Sequence, residues 1–575
     1  MIRSLASFFL ILIPLTEIPL QAQVPEETSR WKRTGSPNTY FHHIEIRDDR
    51  GQVIVPGQEN GRLPHLGSTC APCHDVEKAS GGLHGGDGID GQPGEPWMLL
   101  DSRSGSRWPV HHRSWNSFTS VEELGLKQSD LIKQFGAHDT GGTNSISGMA
   151  SDCLICHMPH SYNFELRAKS IKDNKPQLAS FIAMGLSDVN GALNPRMFDA
   201  ENKVSLDLKG DAGPEACLHC HQQTPANNDA NRPTWTHAED VHLAAGMSCV
   251  DCHRAGLDHH IVRGHDGEIH PSGTPVETLS CRGCHLPEGT PVMRSAPRPE
   301  HRGLPPFHLE ELTCTACHSG PMSENSGEQV WTSRAHRLGI ARQDRTADSP
   351  PEVFTGILLK DDHGRWAPHY QTWPAGWVKS ASETHPERVL PPHDLRTSLR
   401  RILRVRSDMV TELANTPEDP DRTERSISVF LGQQSESTAF ISGGLGWKQA
   451  AGDQLTAVEM ELAKSVEWKQ GHPVRPASMS TGAQGCSDCH STTASWPLLE
   501  SEPKTLVDLN SNEAQKSAEK LNQEKTTVFD SLRWNLWKPL FNGRDLAKLI
   551  LSGCAFIAFF GSLFRLFKSL DRRPS

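Results

Sequence analysis

The chain has 575 residues, and its 58 Lys and Arg against 69 Asp and Glu give a formal net charge of -11 at pH 7. That length fills several domains, while the acidic balance argues against nucleic acid as a partner and favours a basic docking surface elsewhere. Only 36% of the residues are apolar or aromatic, yet there are 15 Cys and 30 His, so cysteine and histidine chemistry distinguishes this sequence more than bulk hydrophobicity does.

At the N-terminus, Arg3 precedes an almost wholly apolar stretch over residues 5–15, and Ala22 offers a small residue for cleavage. Residues 1–22 therefore read as a signal peptide with a mature start at Gln23, an uncleaved anchor being the alternative. Residues 40–46 and 52–55 flank Asp48-Asp49-Arg50-Gly51 and predict a small hairpin. Glycines around His84 predict a loop able to bring backbone close to a large flat group. Ser120 and Glu123 form a possible capping box opening a helix to about residue 134.

Fourteen of the cysteines fall into seven C-x-x-C-H pentamers: Cys70/Cys73/His74, Cys153/Cys156/His157, Cys217/Cys220/His221, Cys249/Cys252/His253, Cys281/Cys284/His285, Cys314/Cys317/His318 and Cys486/Cys489/His490. Two thiols three positions apart can each form a thioether to a haem vinyl group, and the adjacent imidazole reaches the iron. Zinc sites draw their remaining ligands from varied positions, and C-x-x-C disulfides leave the invariant histidine without a purpose. Seven covalently attached haems c are expected, which makes the sequence that of a multihaem c-type cytochrome. Its expected fold is loop-rich and mainly α around a packed haem chain, with minor β and one C-terminal transmembrane helix.

From Cys217 the motifs recur every 32 or 33 residues, at Cys249, Cys281 and Cys314, so each short segment covers one haem with help from its neighbours. Non-motif histidines near the motifs are the candidates for the second axial position: His84, His160, His237, His242, His260, His270, His301, His308 and His336. Met158, Met247 and Met293 are thioether alternatives that would raise the potential. Residues 23–318 thus form a six-haem cytochrome domain, and 319–485 form a motif-free insertion or subdomain. Within it we expect a strand over 353–360, helices over 395–413 and 454–467, and a polar connection over 416–422. His363, His369, His385 and His393 in this insertion could line a pocket.

Residues 486–545 carry the seventh motif and a membrane-proximal helical segment over 513–532, with Trp534 and Trp537 suited to an interfacial belt. The uncharged run 549–564 is about 24 Å long as a helix, against a hydrocarbon core of about 30 Å. Extension to 546–567 closes the gap, because Lys548 and Arg565 can snorkel from the ends. Cys554 within it serves as a small hydrophobe. The basic tail 568–575 places the C-terminus in the cytoplasm and the bulk of the chain in the periplasm, anchored to the inner membrane.

The runs from Asp240 to His253 and from Leu312 to His318 resemble the densely packed multihaem cytochromes related to octahaem tetrathionate reductase and hydroxylamine oxidoreductase. The resemblance covers chiefly residues 150–320 and implies closely packed haems, one of them catalytic with an open or lysine-ligated iron. This chain departs from it in having seven C-x-x-C-H sites, no C-x-x-C-K and a large motif-free insertion. Electron transfer between a quinone-linked or other membrane redox complex and periplasmic partners is therefore the expected function. The alternatives are an oxidoreductase acting on a small nitrogen or sulfur oxyanion at one open haem, and a scaffold subunit of a larger assembly, so whether the protein is an enzyme stays open.

Mass analysis of the denatured protein is expected to give seven haem additions on a chain starting near Gln23. Six or fewer at full occupancy would refute the motif count.

Overall fold

Two kinds of core follow one another along this chain, one built by side chains and one in which apolar side chains are scarce. The computed structural model describes residues 42–82, 95–101, 104–110, 123–125, 140–142, 149–221, 224–225, 240–270, 273, 279–286, 296–320, 329–331, 333, 337–339, 352–402, 420–490 and 538–570, apart from isolated positions within these spans. The signal peptide, the segment 513–532 and its flanking tryptophans lie outside them, as does the helix expected over 120–134 except for a turn at 123–125.

The expected hairpin forms around Asp48, which accepts from the Arg50 and Gln52 amides at 3.0 and 2.8 Å while Gly51 takes φ +76°. Pairing is brief, an antiparallel bridge between Arg47 and Val53 with Ile54 N donating to Ile46 O at 2.9 Å. The preceding strand His42–Glu45 leaves the hairpin and pairs antiparallel with Lys203–Leu206, His42 opposite Leu206. Beneath it, Ile46, Ile54, Leu154, Ile155, Phe181, Leu186, Val204 and Leu206 form one apolar cluster, against which Cys70 and Cys156 pack. The first two motifs therefore share a side-chain core. Beside it lies a buried polar network: Arg167 Nε donates to Asp152 Oδ2 at 3.0 Å, Tyr162 donates to the same oxygen, and both ionised side chains are fully shielded from solvent.

Residues 240–320 are different. Short helices alternate with loops, and among the described residues few apolar side chains are buried, Leu243, Val262 and Ala316 being those that are. Such a segment cannot offset its own ordering entropy unless another apolar body fills it.

The third region is sheet. One five-stranded sheet has the spatial order Arg388–Val389, Gly376–Lys379, Thr438–Ser442, Leu445–Gln449, Leu455–Val458. Trp377 faces Phe440, and Phe440 faces Trp447, in a row across three strands. The same face receives Leu399 from the helix Pro392–Ile402, and Ile427, Phe430 and Leu431 from the helix Pro420–Gly432. Alternation puts Val378, Ala439 and Ile441 on the other face, against Leu99, Trp108 and Val110 of the hairpin Trp97–Asp101/Ser106–Val110. A second five-stranded sheet runs Val466–Lys469, Trp366–Thr372, Glu352–Lys360, Gln329–Trp331, Thr224–Pro225. Its last strand comes from just after the third motif, so the sheet is hydrogen-bonded to the cytochrome segment.

Several expectations need correction. Strand content is substantial and most helices are short, so "mainly α with minor β" understates the sheets. The helix expected over 454–467 is instead the strand Leu455–Val458, a 3₁₀ turn Glu461–Ala463 and the strand Val466–Lys469. Apolar residues at 455, 458, 462 and 466 imitate a helical period, while Val466 and Trp468 are buried on the alternating face of a strand. The polar connection expected over 416–422 gives way to the helix Pro420–Gly432, with Pro420 at its first position and Ile427, Phe430 and Leu431 at i, i+3, i+4. The strand expected over 353–360 is present as Glu352–Lys360, and the basic helix as Pro392–Ile402.

Lys538–Leu570 is a 33-residue helix containing one stretch, Lys548–Lys568, long and apolar enough to cross a membrane. Its Leu549, Ile557 and Phe564 are each about 70% exposed within the chain, which suits lipid rather than a protein core.

Replacing Arg167 by Met should lower the urea midpoint of the holoprotein by the equivalent of about 3–5 kcal/mol, because Asp152 is left buried without its cation. A midpoint within error of the parent's would show that the pair contributes nothing.

Candidate haem centres

Six of the seven motifs end a short helix or form one, as in Leu154–His157, Pro214–His221, Cys249–Cys252, Cys281–His285, Cys314–His318 and Ser487–His490, while the first begins at the end of Leu66–Cys70. One helical turn brings thiols at i and i+3 onto the same face. Local caps start these turns: Ser248 and Asp251 form a capping box before Cys249, and Ser280 Oγ accepts from Gly283 N at 3.1 Å before the fifth motif.

Cys73, expected to bind haem alongside Cys70, is placed differently from its partner thiol. Pro72 has no amide to continue the ladder, so the helix stops and Cys73 falls in the turn that follows, its amide donating to Cys70 O at 3.2 Å. Cys70 packs on the first apolar cluster, whereas Cys73 is exposed. The chain therefore partly encloses Cys70 and presents Cys73 to solvent. Cys281, Cys314 and Cys486 are exposed as well, but each stands at the start of a helical turn.

Four motif histidines have their Nδ1 fixed by a backbone carbonyl. His157 donates to Lys209 O at 2.7 Å, His253 to Val262 O at 2.9 Å, His285 to Pro297 O at 2.7 Å and His318 to Arg475 O at 2.9 Å. A carbonyl can only accept, so the proton is on Nδ1 and Nε2 keeps its lone pair for a metal. Burial also pulls His253 and His318 below the usual imidazole range, favouring the neutral ring that ligation requires.

Among the described residues, five motif imidazoles face a second imidazole. Ring centroids are 6.3 Å apart for His74 and His42, 6.2 Å for His157 and His259, 6.1 Å for His253 and His472, 6.0 Å for His285 and His242, and 6.4 Å for His318 and His301. Two rings sharing one metal ion through facing nitrogens, with bonds of about 2 Å and ring radii of about 1.1 Å, place their centroids about 6 Å apart. The spacing fits an iron between each pair. His259 and His301 hold their positions with φ of +56° and +37°, left-handed backbone that costs about 1–3 kcal/mol per residue and recurs at functional sites. A Cβ on Gly82 would lie 2.0 Å from His259 O, so the chain after the first motif rests directly on the loop that presents His259.

Neighbouring motifs touch in sequence order. The thiols of Cys70 and Cys153, of Cys217 and Cys249, and of Cys281 and Cys314 are electrostatic neighbours. Between these pairs, Cys156 interacts electrostatically with Cys220, and Cys252 with Cys284. Cys489 packs with Ala316 and Leu312 of the sixth motif region and with Leu358 and Trp366 of the sheet. First cysteines meet, then second cysteines, in alternation along the chain.

Of the histidines singled out for the second axial position, His242 and His301 face motif imidazoles as above. His160 is exposed, 3.5 Å from Glu215. His260 and His270 face one another edge to face at 5.1 Å, beside Asp258. His308 lies 3.2 Å from Pro305 O and against Phe307. His84, His237 and His336, and the side chain of His490, lie outside the described residues, as does Met293. Met158 is buried in the first apolar cluster. His363, His385 and His393 are exposed, whereas His369 is buried.

His42, His259 and His472 are not among the sequence candidates. His259 is one half of a His-His doublet whose other member, His260, is the candidate that sequence proximity offers. His42 lies before the first motif and His472 at the far end of the insertion, where proximity in sequence carries no signal.

Residues 134–264 match the N-terminal region of the NapC/NirT cytochrome c family. The match spans the second, third and fourth motifs, supports a multihaem c-type cytochrome and implies covalently bound c-type haem. No curated protein and no solved structure matches the chain.

Substituting His42, His259 or His472 by Ala should leave the full complement of covalent haems and convert one ferric haem per chain from low-spin to high-spin, read by electron paramagnetic resonance. Low-spin signals undiminished in all three variants would remove these residues from the ligand set.

Proposed function

We propose that this chain is a membrane-anchored, periplasmic heptahaem cytochrome that carries electrons between a quinone-linked membrane complex and periplasmic partners. The observation that carries the reading is the set of five imidazole pairs at 6.0–6.4 Å. Haem supplies reversible one-electron chemistry, and two strong axial ligands keep iron six-coordinate in both redox states, which suits transfer rather than substrate binding. NapC/NirT cytochromes generally work in electron transfer with membrane quinone and periplasmic partners, which supports the same direction.

In this reading His42, His259, His472, His242 and His301 are the distal ligands of the first, second, fourth, fifth and sixth haems. The alternating thiol contacts favour a single file in chain order from Cys70 to Cys489. The seventh site is the one nearest in sequence to the Lys548–Lys568 span, so the membrane-side exchange of electrons is assigned to that end. The basic residues after the span point its C-terminus into the cytoplasm. Two propionates per haem add to the -11 of the chain, favouring periplasmic partners with a basic face.

A second reading, reduction of a small nitrogen or sulfur oxyanion, requires an exchangeable iron position. In the bis-histidine reading the first, second, fourth, fifth and sixth irons offer no such position.

All seven ferric haems are expected to be low-spin, with no spectral change on adding nitrite, hydroxylamine or tetrathionate to the oxidised or reduced protein. Reduction by a membrane-soluble quinol should reach every haem. One high-spin haem per chain, reoxidised rapidly by one of these compounds, would move the assignment to the reductase.

A further inference from the structure

Five of the imidazoles assigned to iron donate Nδ1–H to backbone carbonyls: His157, His253, His285 and His318 as described, and His259 to Leu257 O at 3.3 Å. His242 and His472 instead face a carboxylate, and it is the same one. Asp240 Oδ1 lies 3.6 Å from His242 Nδ1, and Asp240 Oδ2 lies 3.4 Å from His472 Nδ1. The carboxylate is 2% exposed. It is fixed from several directions: Oδ1 accepts from the His242 and Leu243 amides at 2.9 and 3.4 Å, and Oδ2 accepts from the Val474 amide at 2.9 Å. A further backbone bond, Val241 N to Val474 O at 2.8 Å, ties the two histidine-bearing segments together although they are 232 residues apart.

We propose that Asp240 is a positioning residue shared by two successive haem centres, one carboxylate that orients both distal imidazoles and holds both irons at lower potential. The inference rests on the bis-histidine reading, which pairs His472 with His253 at the fourth site and His242 with His285 at the fifth. An imidazole whose Nε2 is given to iron carries its proton on Nδ1, and a carboxylate acceptor there raises the ring's basicity more than a carbonyl does. The ring then donates more strongly to iron, and the nearby negative charge favours the oxidised, more positive state. Asp240 is well shielded from water, so its charge acts through a medium of low dielectric. Each of the two irons feels it through its own imidazole.

Asp240→Asn keeps the shape and removes the charge. Its amide nitrogen would oppose the Val474 N–H, so Asp240→Ser is the companion variant: it retains an oxygen to cap the helix Val241–Ala244 and also lacks the charge. The measurement is a spectroelectrochemical titration of full-length holoprotein, with paramagnetic resonance of the ferric state. In both variants the seven covalent haems should persist, two of the seven transitions should move to higher potential, and two low-spin species should change their g-values while five stay in place. Seven transitions at the parent's potentials, a uniform displacement of all seven, or a shift of one alone would each overturn the proposal. Its failure is distinguishable from failure of the ligand reading, because that would appear in the unmodified protein as high-spin iron at the fourth and fifth sites, before any variant is made.

Discussion

Two imidazoles held about six ångströms apart are the constraint that the rest of this chain satisfies. A motif histidine is delivered by one helical turn, with its orientation set by a carbonyl such as Lys209 O or Arg475 O. Its partner has to arrive from elsewhere, and the chain accepts awkward backbone to bring it. His259 and His301 sit in left-handed conformations that a side chain with a Cβ avoids. His472 comes from the end of the sheet region, where Arg475 also donates to Cys317 O and Gly320 O at 3.1 and 2.6 Å. The sheets and the haem segment are therefore parts of one arrangement: strands carry chain out and back so that one histidine returns to the fourth motif.

The two kinds of core reflect what each part of the chain must bury. In the sheet region Trp377, Phe440 and Trp447 fill a face at side-chain density, and their indole N–H groups find partners, Trp377 with Ser104 O at 2.7 Å and Trp447 with Ser442 O at 3.1 Å. Among the described residues of 240–320 there is no comparable cluster, and the segment is organised by the motif turns. Thioether attachment and axial ligation close many loops at once, which restricts the unfolded chain in the way a disulfide does. A segment stapled in this manner has little need of long helices, and the short turns at Cys249–Cys252, Cys281–His285 and Cys314–His318 suffice to present thiols and imidazole.

Legibility in the sequence follows the range of the interaction. The motifs need only five consecutive residues, so all seven can be read, and the membrane-length helix follows from an apolar run of the right extent. The histidines that face motif imidazoles are set by tertiary approach. Proximity in sequence finds His242 and His301 but gives no reason to prefer His259 over His260, or to look as far as His42 and His472. The sheets are hard to read for another reason. A strand pair interrupted by one 3₁₀ turn, as between Leu455 and Lys469, places its apolar residues at intervals of three and four and so imitates an amphipathic helix. The helix Pro420–Gly432 is hidden by a proline, which is tolerated at a first turn even though it commonly signals a break.

Sharing one carboxylate between two sites has a consequence for a file of redox centres. A charge that acts on a single iron changes the driving force of the steps on both sides of it, in opposite senses. Asp240 lies between two imidazoles, at 3.4 Å from one and 3.6 Å from the other, so it displaces the fourth and fifth potentials together and nearly cancels in their difference. The step between those two sites is then insensitive to the charge, while the steps from the third to the fourth and from the fifth to the sixth feel it with opposite sign. The charge thus moves the pair as a unit against its neighbours and leaves the difference between the two sites as the rest of the protein sets it. Cys252 and Cys284 of the same two motifs are electrostatic neighbours, so the two sites that share Asp240 also adjoin one another. In the electron-transfer reading, Asp240 therefore tunes the entry and exit steps of this pair without altering the step within it.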